Sequence, residues 1–292
     1  VKKFNVTVVN GTDGAYFVIN VTNNGNSPLF NTTITDDLTE FIKNITGDKS
    51  NITSIVVIEG NESVVATLGD DGKLVIDAGD LGIKKSVAVK VSFVVKDDVV
   101  IGSSYVNVAN VTGYSVPMDS ENVRVYVASA SDRLNTGKPS VNKSVNDSSI
   151  DNGLTNVTVG ENVTYDIVVS LATGNYTNLT VVDVLPDGFK FVSALVNGTE
   201  YAPVVGDGKL TFEFINMHSL DYNDKLVIRV VAVALNDSTV VAGAKKVNVA
   251  NLYSNNTFIN NATANVTIVE PSIKVVKKFN VTVVNGTDGA YF

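Results

Sequence analysis

The seventeen residues VKKFNVTVVNGTDGAYF occupy positions 1–17 and return unchanged at 276–292. Identity over that length predicts a periodic polymer whose unit is 275 residues (1 to 276), with the 292-residue chain as an excerpt of it. The expected function is that of an array, in which each unit passes load, spacing or surface to the next.

Composition narrows the kind of array. Charged residues make up 18% and hydrophobic residues 44%, with Val, Ile, Thr, Tyr and Phe abundant. That balance suits half-buried pleated strands rather than helices or a disordered stalk. The net charge of −8 argues against nucleic acid or anionic lipid as a partner, because both demand basic patches that displace counterions. There is no cysteine, so neither disulfides nor Cys-ligated zinc staple the fold. The longest apolar run, Leu226 to Leu235, is interrupted by Arg229 and is too short to span a bilayer. No signal peptide opens the chain, as expected of an excerpt.

Asparagine points to a compartment. The triplet Asn-x-Ser/Thr occurs at Asn5, Asn10, Asn20, Asn31, Asn44, Asn51, Asn61, Asn110, Asn142, Asn146, Asn156, Asn162, Asn175, Asn178, Asn197, Asn236, Asn255, Asn261 and Asn265, and again in the terminal copy at Asn280 and Asn285. Chance at this composition gives roughly six. The excess predicts an N-glycosylated exported surface, on which sugars solubilise and shield the outer faces of strands. An Asn- and Thr-rich strand protein generates some of these triplets by composition alone.

The unit divides into two halves whose landmarks recur in order. Asn31-Thr-Thr-Ile-Thr-Asp-Asp-Leu matches Asn178-Leu-Thr-Val-Val-Asp-Val-Leu, Gly72-Lys73-Leu74 matches Gly208-Lys209-Leu210, and Val106-Asn-Val-Ala-Asn-Val matches Val247-Asn-Val-Ala-Asn-Leu. Each half carries seven or eight short alternating segments divided by turn signals such as Asn10-Gly11, Asn24-Gly25, Asn152-Gly153 and Asn197-Gly198. The fold class read from this is all-β, two tandem immunoglobulin-like β-sandwiches per unit: 1–128, a linker at 129–139, 140–275, and the start of the next repeat at 276–292. Linkers this short predict a stiff rod.

Val159-Gly160-Glu161-Asn162-Val163-Thr164-Tyr165, Val181-Val182-Asp183-Val184-Leu185-Pro186-Asp187-Gly188-Phe189 and Val247-Asn248-Val249-Ala250 resemble the conserved repeat domain of archaeal and bacterial adhesin-like surface proteins, the type called domain of unknown function eleven. The resemblance covers about 141–269 and extends more weakly to the first half, where Asp36-Asp37-Leu38-Thr39 lacks the proline. It implies immunoglobulin-like sandwiches strung in tandem on large surface proteins.

The pattern is also similar to the isopeptide-forming domains of Gram-positive pili, in which a Lys on the first strand joins an Asn on the last, assisted by an acid on a middle strand. That resemblance implies Lys2, Asp36 and Asn107 in the first half and Lys143, Asp183 and Asn248 in the second. Strand parity is consistent with it, because a glycan-bearing Asn faces out and residues an odd number of positions away face in. From Asn5, Lys2, Phe4, Val6 and Val8 face inward; from Asn31, Thr32, Ile34, Asp36 and Leu38; from Asn178, Leu179, Val181, Asp183 and Leu185. Asn110 likewise turns Asn107 toward the core. Neither Asn107 nor Asn248 is a sequon, since Ala109 and Ala250 stand in the hydroxyl position. Burial would favour a neutral lysine and a protonated acid, the forms that the chemistry requires. A buried Lys–Asp pair with a hydrogen-bonded Asn, or a Lys that reaches the rim, satisfies the same pattern.

Other chemistry is sparse. His218 is the single histidine, which removes multi-histidine metal sites and leaves a Ser-His-Asp triad improbable; a partly exposed loop position is expected for it. The doublets Asp36-Asp37, Asp70-Asp71 and Asp97-Asp98 lack calcium-loop spacing and read as solvated turns. No metal, cofactor or enzymatic activity is expected. The sequence therefore reads as a mechanical repeat of an extracellular filament or giant cell-surface stalk, partnered by neighbouring copies of itself and carrying covalent N-glycans. The rival is a glycan- or protein-binding adhesin domain using end-loop aromatics, for which Tyr114, Tyr222 and Tyr253 are the candidates.

Overall fold

The computed structural model describes residues 1–117, 121–150, 153–221, 223–279, 285–287 and 289. Most of the expected next-repeat segment, 276–292, falls outside these, and the described part of it forms no strand.

Ten strands make the first sandwich: β1 (Lys2–Phe4), β2 (Val8–Val9), β3 (Gly14–Thr22), β4 (Leu29–Asp37), β5 (Ile52–Glu59), β6 (Val65–Leu68), β7 (Lys73–Leu81), β8 (Ser86–Val94), β9 (Ser104–Tyr114) and β10 (Val125–Thr136). Eleven make the second: β11 (Ser140–Ser148), β12 (Asn156–Val157), β13 (Asn162–Ser170), β14 (Gly174–Val184), β15 (Phe189–Val196), β16 (Thr199–Glu200), β17 (Val204–Gly206), β18 (Lys209–Ser219), β19 (Lys225–Ala234), β20 (Lys245–Ser254) and β21 (Thr257–Ile268). The first sandwich faces a sheet β1-β3-β8-β5 with a sheet β2-β10-β9-β4-β7-β6. The second repeats that order as β11-β13-β19-β15-β16 against β12-β21-β20-β14-β18-β17. The chain is thus two tandem all-β sandwiches, and the duplicated landmarks are strands in equivalent places.

Alternation drives the packing. β3 buries Ala15, Phe17 and Ile19, and β8 meets them with Val89, Val91 and Phe93; β13 and β19 repeat this with Tyr165, Ile167, Ile228 and Val230. Phe4, Phe17, Phe41 and Phe93 pack edge-on or stacked, with ring centroids 4.9–6.5 Å apart. Phe41 belongs to a helical turn (Thr39–Phe41) that widens into Ile42–Thr46, where the Gly47 N–H reaches back to the Ile42 carbonyl. The second sandwich replaces this excursion with the short Pro186-Asp187-Gly188 corner.

Four sequence expectations change. Val8 is exposed and Val9 buried, because the chain leaves the β1 sheet after Phe4 and enters the opposite sheet as β2, parallel to β10, which shifts the alternation by one. Residues 129–136 are strand rather than linker: β10 pairs with β9 from Val125 to Asn135, leaving only 137–139 between the sandwiches. Of the four Asn-Gly signals, Asn197-Gly198 forms a two-residue hairpin, joining β15 to β16 with φ of 48° and 82°. Asn10-Gly11 and Asn24-Gly25 lie in connections between sheets, and Asn152 is outside the described residues. His218 is exposed on β18 rather than in a loop.

The junction between the sandwiches is itself hydrogen-bonded. Val100 and Asn175 form a parallel bridge, with Asn175 N–H donating to Val99 O at 2.9 Å and Ile101 N–H to Asn175 O at 3.0 Å. Gly11 N–H donates to Thr173 O at 2.9 Å beside them. Gly174 permits this approach: its φ is +138°, and a Cβ there would sit 2.5 Å from Val99 O. The Tyr176 hydroxyl braces the inserted loop, accepting from Ala172 N–H and donating to Ala172 O. Three backbone hydrogen bonds and two buried side chains, Val99 and Ile101, favour a fixed angle between the sandwiches over free rotation.

Candidate functional site: two buried lysine–aspartate–asparagine triads

Each sandwich carries the same three polar side chains in its core. In the first, β1 supplies Lys2, β4 supplies Asp36 and β9 supplies Asn107; in the second, β11, β14 and β20 supply Lys143, Asp183 and Asn248. The placement is equivalent to the residue. Lys2 pairs across the sheet with Ile19 and Lys143 with Ile167, while Asp36 lies between Leu74 and Ala109 and Asp183 between Leu210 and Ala250. Because Asn107 precedes Ala109 by two and Asn248 precedes Ala250 by two, pleat alternation turns both toward the aspartate. Lysine and acid come from opposite sheets, so each triad bridges the sandwich.

The Lys2 Nζ contacts Asp36 Oδ2, and Asn107 Nδ2 donates to the same oxygen at 3.4 Å. In the second triad Lys143 Nζ donates to Asp183 Oδ1 at 2.6 Å, and Asn248 Nδ2 to Oδ2 at 3.4 Å. An aromatic ring floors each lysine: Phe17, 4.3 Å from Nζ, and Tyr165, 5.1 Å from Nζ. Lys2 and Lys143 are only 3% and 6% exposed, and all four partners are buried as well.

Burial dominates the electrostatics. Desolvation pulls Lys2 down to about 8 against the opposing pull of the Asp36 charge, and lowers Lys143 for the same reason. It raises Asp36 and Asp183 despite their lysine neighbours. Both members of each pair are therefore moved toward neutrality, which lessens the advantage of the ion pair over the amine-plus-acid form.

Three of the five buried side-chain polar atoms without a partner among the described residues lie in or against the triads, the others being Ser254 Oγ and Asn260 Oδ1. Asp36 Oδ1, Asn248 Oδ1 and the Tyr165 hydroxyl are buried without a partner, each at a cost of about 1–3 kcal/mol. Turning the Asn248 amide over would put its oxygen toward Asp183, where a protonated carboxyl could donate to it. Asn107 and Asn248 are the only buried asparagines among the described residues, whereas the nineteen sequon asparagines of the unit are all exposed or half-buried. A chain this rich in asparagine keeps two from water, and both meet a lysine–aspartate pair.

One feature departs from the pilus-type arrangement. Asn107 and Asn248 lie on the next-to-last strands, with β10 and β21 following, so a loop closed at these residues leaves the last strand outside it. The candidate ends are 105 residues apart in each sandwich (2 to 107, 143 to 248).

The remaining candidates disperse. Asp37, Asp70, Asp71, Asp97 and Asp98 are exposed, and no group of three or more His, Cys, Asp or Glu suited to a metal occurs among the described residues. Tyr114 and Tyr253 belong to different sandwiches, and Tyr222 lies outside the described residues. No described helix is long and apolar enough to cross a membrane. The interlocked junction loops were missed by sequence reading; the positive-φ Gly174 gave a signal only once its neighbours were known.

No protein family and no curated protein matches the sequence. Among solved structures the chain is similar to the C-terminal domain of the Streptococcus agalactiae antigen I/II polypeptide BspA, at 15% identity and a TM-score of 0.36 over 91% of this chain and 98% of that one. It is similar to the C-terminal domain of the Streptococcus pyogenes antigen I/II-family protein AspA, at 14% identity and a TM-score of 0.35 over 91% and 98%. It is also similar to BcpA, the major pilin subunit of Bacillus cereus, at 12% identity and a TM-score of 0.35 over 70% and 63%.

Proposed function

We propose that the chain is a load-bearing repeat of an extracellular, N-glycosylated filament or cell-surface stalk, and that each sandwich is closed by an intramolecular Lys–Asn isopeptide bond, Lys2 to Asn107 and Lys143 to Asn248. The observation that carries the reading is the pair of equivalent buried triads, each of which sets a lysine amine and an asparagine carboxamide on one buried aspartate. The neutral amine of lysine attacks the asparagine Cγ, forming the new C–N bond. The aspartic acid takes the proton released by the amine and returns one to Nδ2, which leaves as ammonia, so the acid ends as it began. Amine and carboxamide are held on the same aspartate in each sandwich, and that proximity takes the place of an external enzyme.

A closed loop of 105 residues restrains the unfolded chain by about 4.7 kcal/mol, by analogy with disulfides. The mechanical consequence is larger. β1 is held by three register pairs, and a covalent tie to β9 in the opposite sheet keeps tension at the N-terminal end from stripping it. The hydrogen-bonded junction passes that tension to the second sandwich at a fixed angle. None of the nineteen sequon asparagines of the unit is buried, which supports glycan attachment there.

Denaturing electrophoresis of deglycosylated native material tests the array. A ladder or a very large species supports repeats covalently continuous with one another. A single band near the 30.9 kDa of this chain refutes that continuity.

A further inference from the structure

The first sandwich has an open groove of about 550 Å³ at the end where β1 begins, lined by Ile19, Val21, Leu29, Ile34, Ala109 and Tyr126 among others. Val1 pairs with Asn20 through reciprocal backbone hydrogen bonds, but β3 runs on to Thr22. The Thr22 N–H and C=O, on the side of β3 that Asn20 turns to Val1, therefore face the groove, while those of Val21 turn to β8.

The second sandwich shows what fills the equivalent place. There the first strand continues ahead of its lysine: Val141 pairs with Val169 and Ser140 with Ser170, the positions that match Val21 and Thr22. Val141 is 8% exposed, so its side chain plugs the core two residues before Lys143. Two residues before Lys2, the first sandwich needs an apolar side chain of the same kind.

The duplication identifies that residue. Val276-Lys277 copies Val1-Lys2, so the residue two before the copied lysine is Val275. Pro271-Ser272-Ile273 precedes it as Pro139-Ser140-Val141 precedes Lys143, with two residues more before the lysine. Ile273 and Val275 are 89% and 86% exposed, and in an extended strand both fall on the inward face shared with the lysine.

We propose that residues 273–275 of one repeat extend β1 of the next and fill this groove, Val275 opposite Val21 and Lys274 opposite Thr22. Ile273 then covers the mouth of the groove over Leu29 and Tyr126. The inference rests on the periodic array proposed above, and it assigns the contact that joins unit to unit: the second sandwich hands the next one the start of its first strand, so each first sandwich is complete only behind a predecessor.

The test is the full chain carrying Pro-Ser-Ile-Lys-Val ahead of Val1, followed by amide hydrogen exchange. The extension is expected to slow exchange at Thr22 by about tenfold or more relative to the unextended chain, with Val21, whose N–H faces β8, unchanged. An extension with aspartate in place of the residues corresponding to Ile273 and Val275 should lose that protection. Unchanged exchange at Thr22 with the native extension overturns the proposal. Equal protection from the aspartate extension also overturns it, because backbone pairing alone would then account for the contact. Neither result bears on the size of the native polymer, so failure of the groove contact and failure of the array remain distinguishable.

Discussion

Replacing the second triad with apolar residues, Lys143→Met, Asp183→Leu and Asn248→Leu together, separates a covalent clamp from a buried ion pair by the sign of the stability change. If the triad is an unreacted ion pair, the substitution removes two desolvated charges and an unsatisfied carboxamide oxygen, and stability should rise by about 1–4 kcal/mol. If Lys143 is bonded to Asn248, the substitution removes the restraint on a 105-residue loop, about 4.7 kcal/mol, and recovers only about 1–3 kcal/mol from the relieved polar atoms. The net loss is about 2–4 kcal/mol, which for a sandwich of this size lowers the melting temperature by about 8–16 °C. Differential scanning calorimetry reads the second sandwich directly, with the untouched first sandwich as the internal reference. A melting temperature that rises, or that stays put, refutes the covalent account of this domain.

Other predictions follow from the same geometry. In freshly refolded chain, the rate of cross-linking in the first sandwich should be bell-shaped in pH, because the reactive pair carries one proton: it falls above about pH 8 as Lys2–Asp36 loses that proton, and falls on the acid side as Asp36 and Lys2 are both protonated. A rate that keeps climbing well above pH 8 would mean that the free amine acts without the acid. Gly174→Val forces a side chain against Val99 O and Ile101 at a φ of +138°, so it should open the junction while leaving both sandwiches folded. Small-angle scattering of that variant should show a broadened distribution of lengths, and an unchanged profile would show that the bridge does not set the angle.

The internal duplication made much of this legible before any coordinates. Because Asp36 and Asp183 follow sequon asparagines by an odd number of residues along β4 and β14, alternation alone turned them inward. Where that logic failed, at Val8, the chain had crossed between sheets, a change that no local pattern records. Residues 129–136 of β10 were read as linker because Ser129-Ala-Ser-Asp-Arg133 is exposed or half-buried, with the polarity of a loop and the hydrogen bonds of a sheet. The wide helical turn at Ile42–Thr46 and the Val100–Asn175 bridge depend on partners distant in sequence, so periodicity within a short window could not contain them. The two lysines were the hardest to weigh, since an inward lysine is expensive unless something neutralises it, and only the folded chain brings the acid and the carboxamide to it.

The most direct measurement is the intact mass of the deglycosylated chain, followed by fragmentation across the proposed links. Two closed sandwiches make the chain lighter than its residues sum to by two ammonia molecules, with Lys2 joined to Asn107 and Lys143 to Asn248 in the fragments. A mass equal to the residue sum, with all four side chains recovered free, contradicts the account.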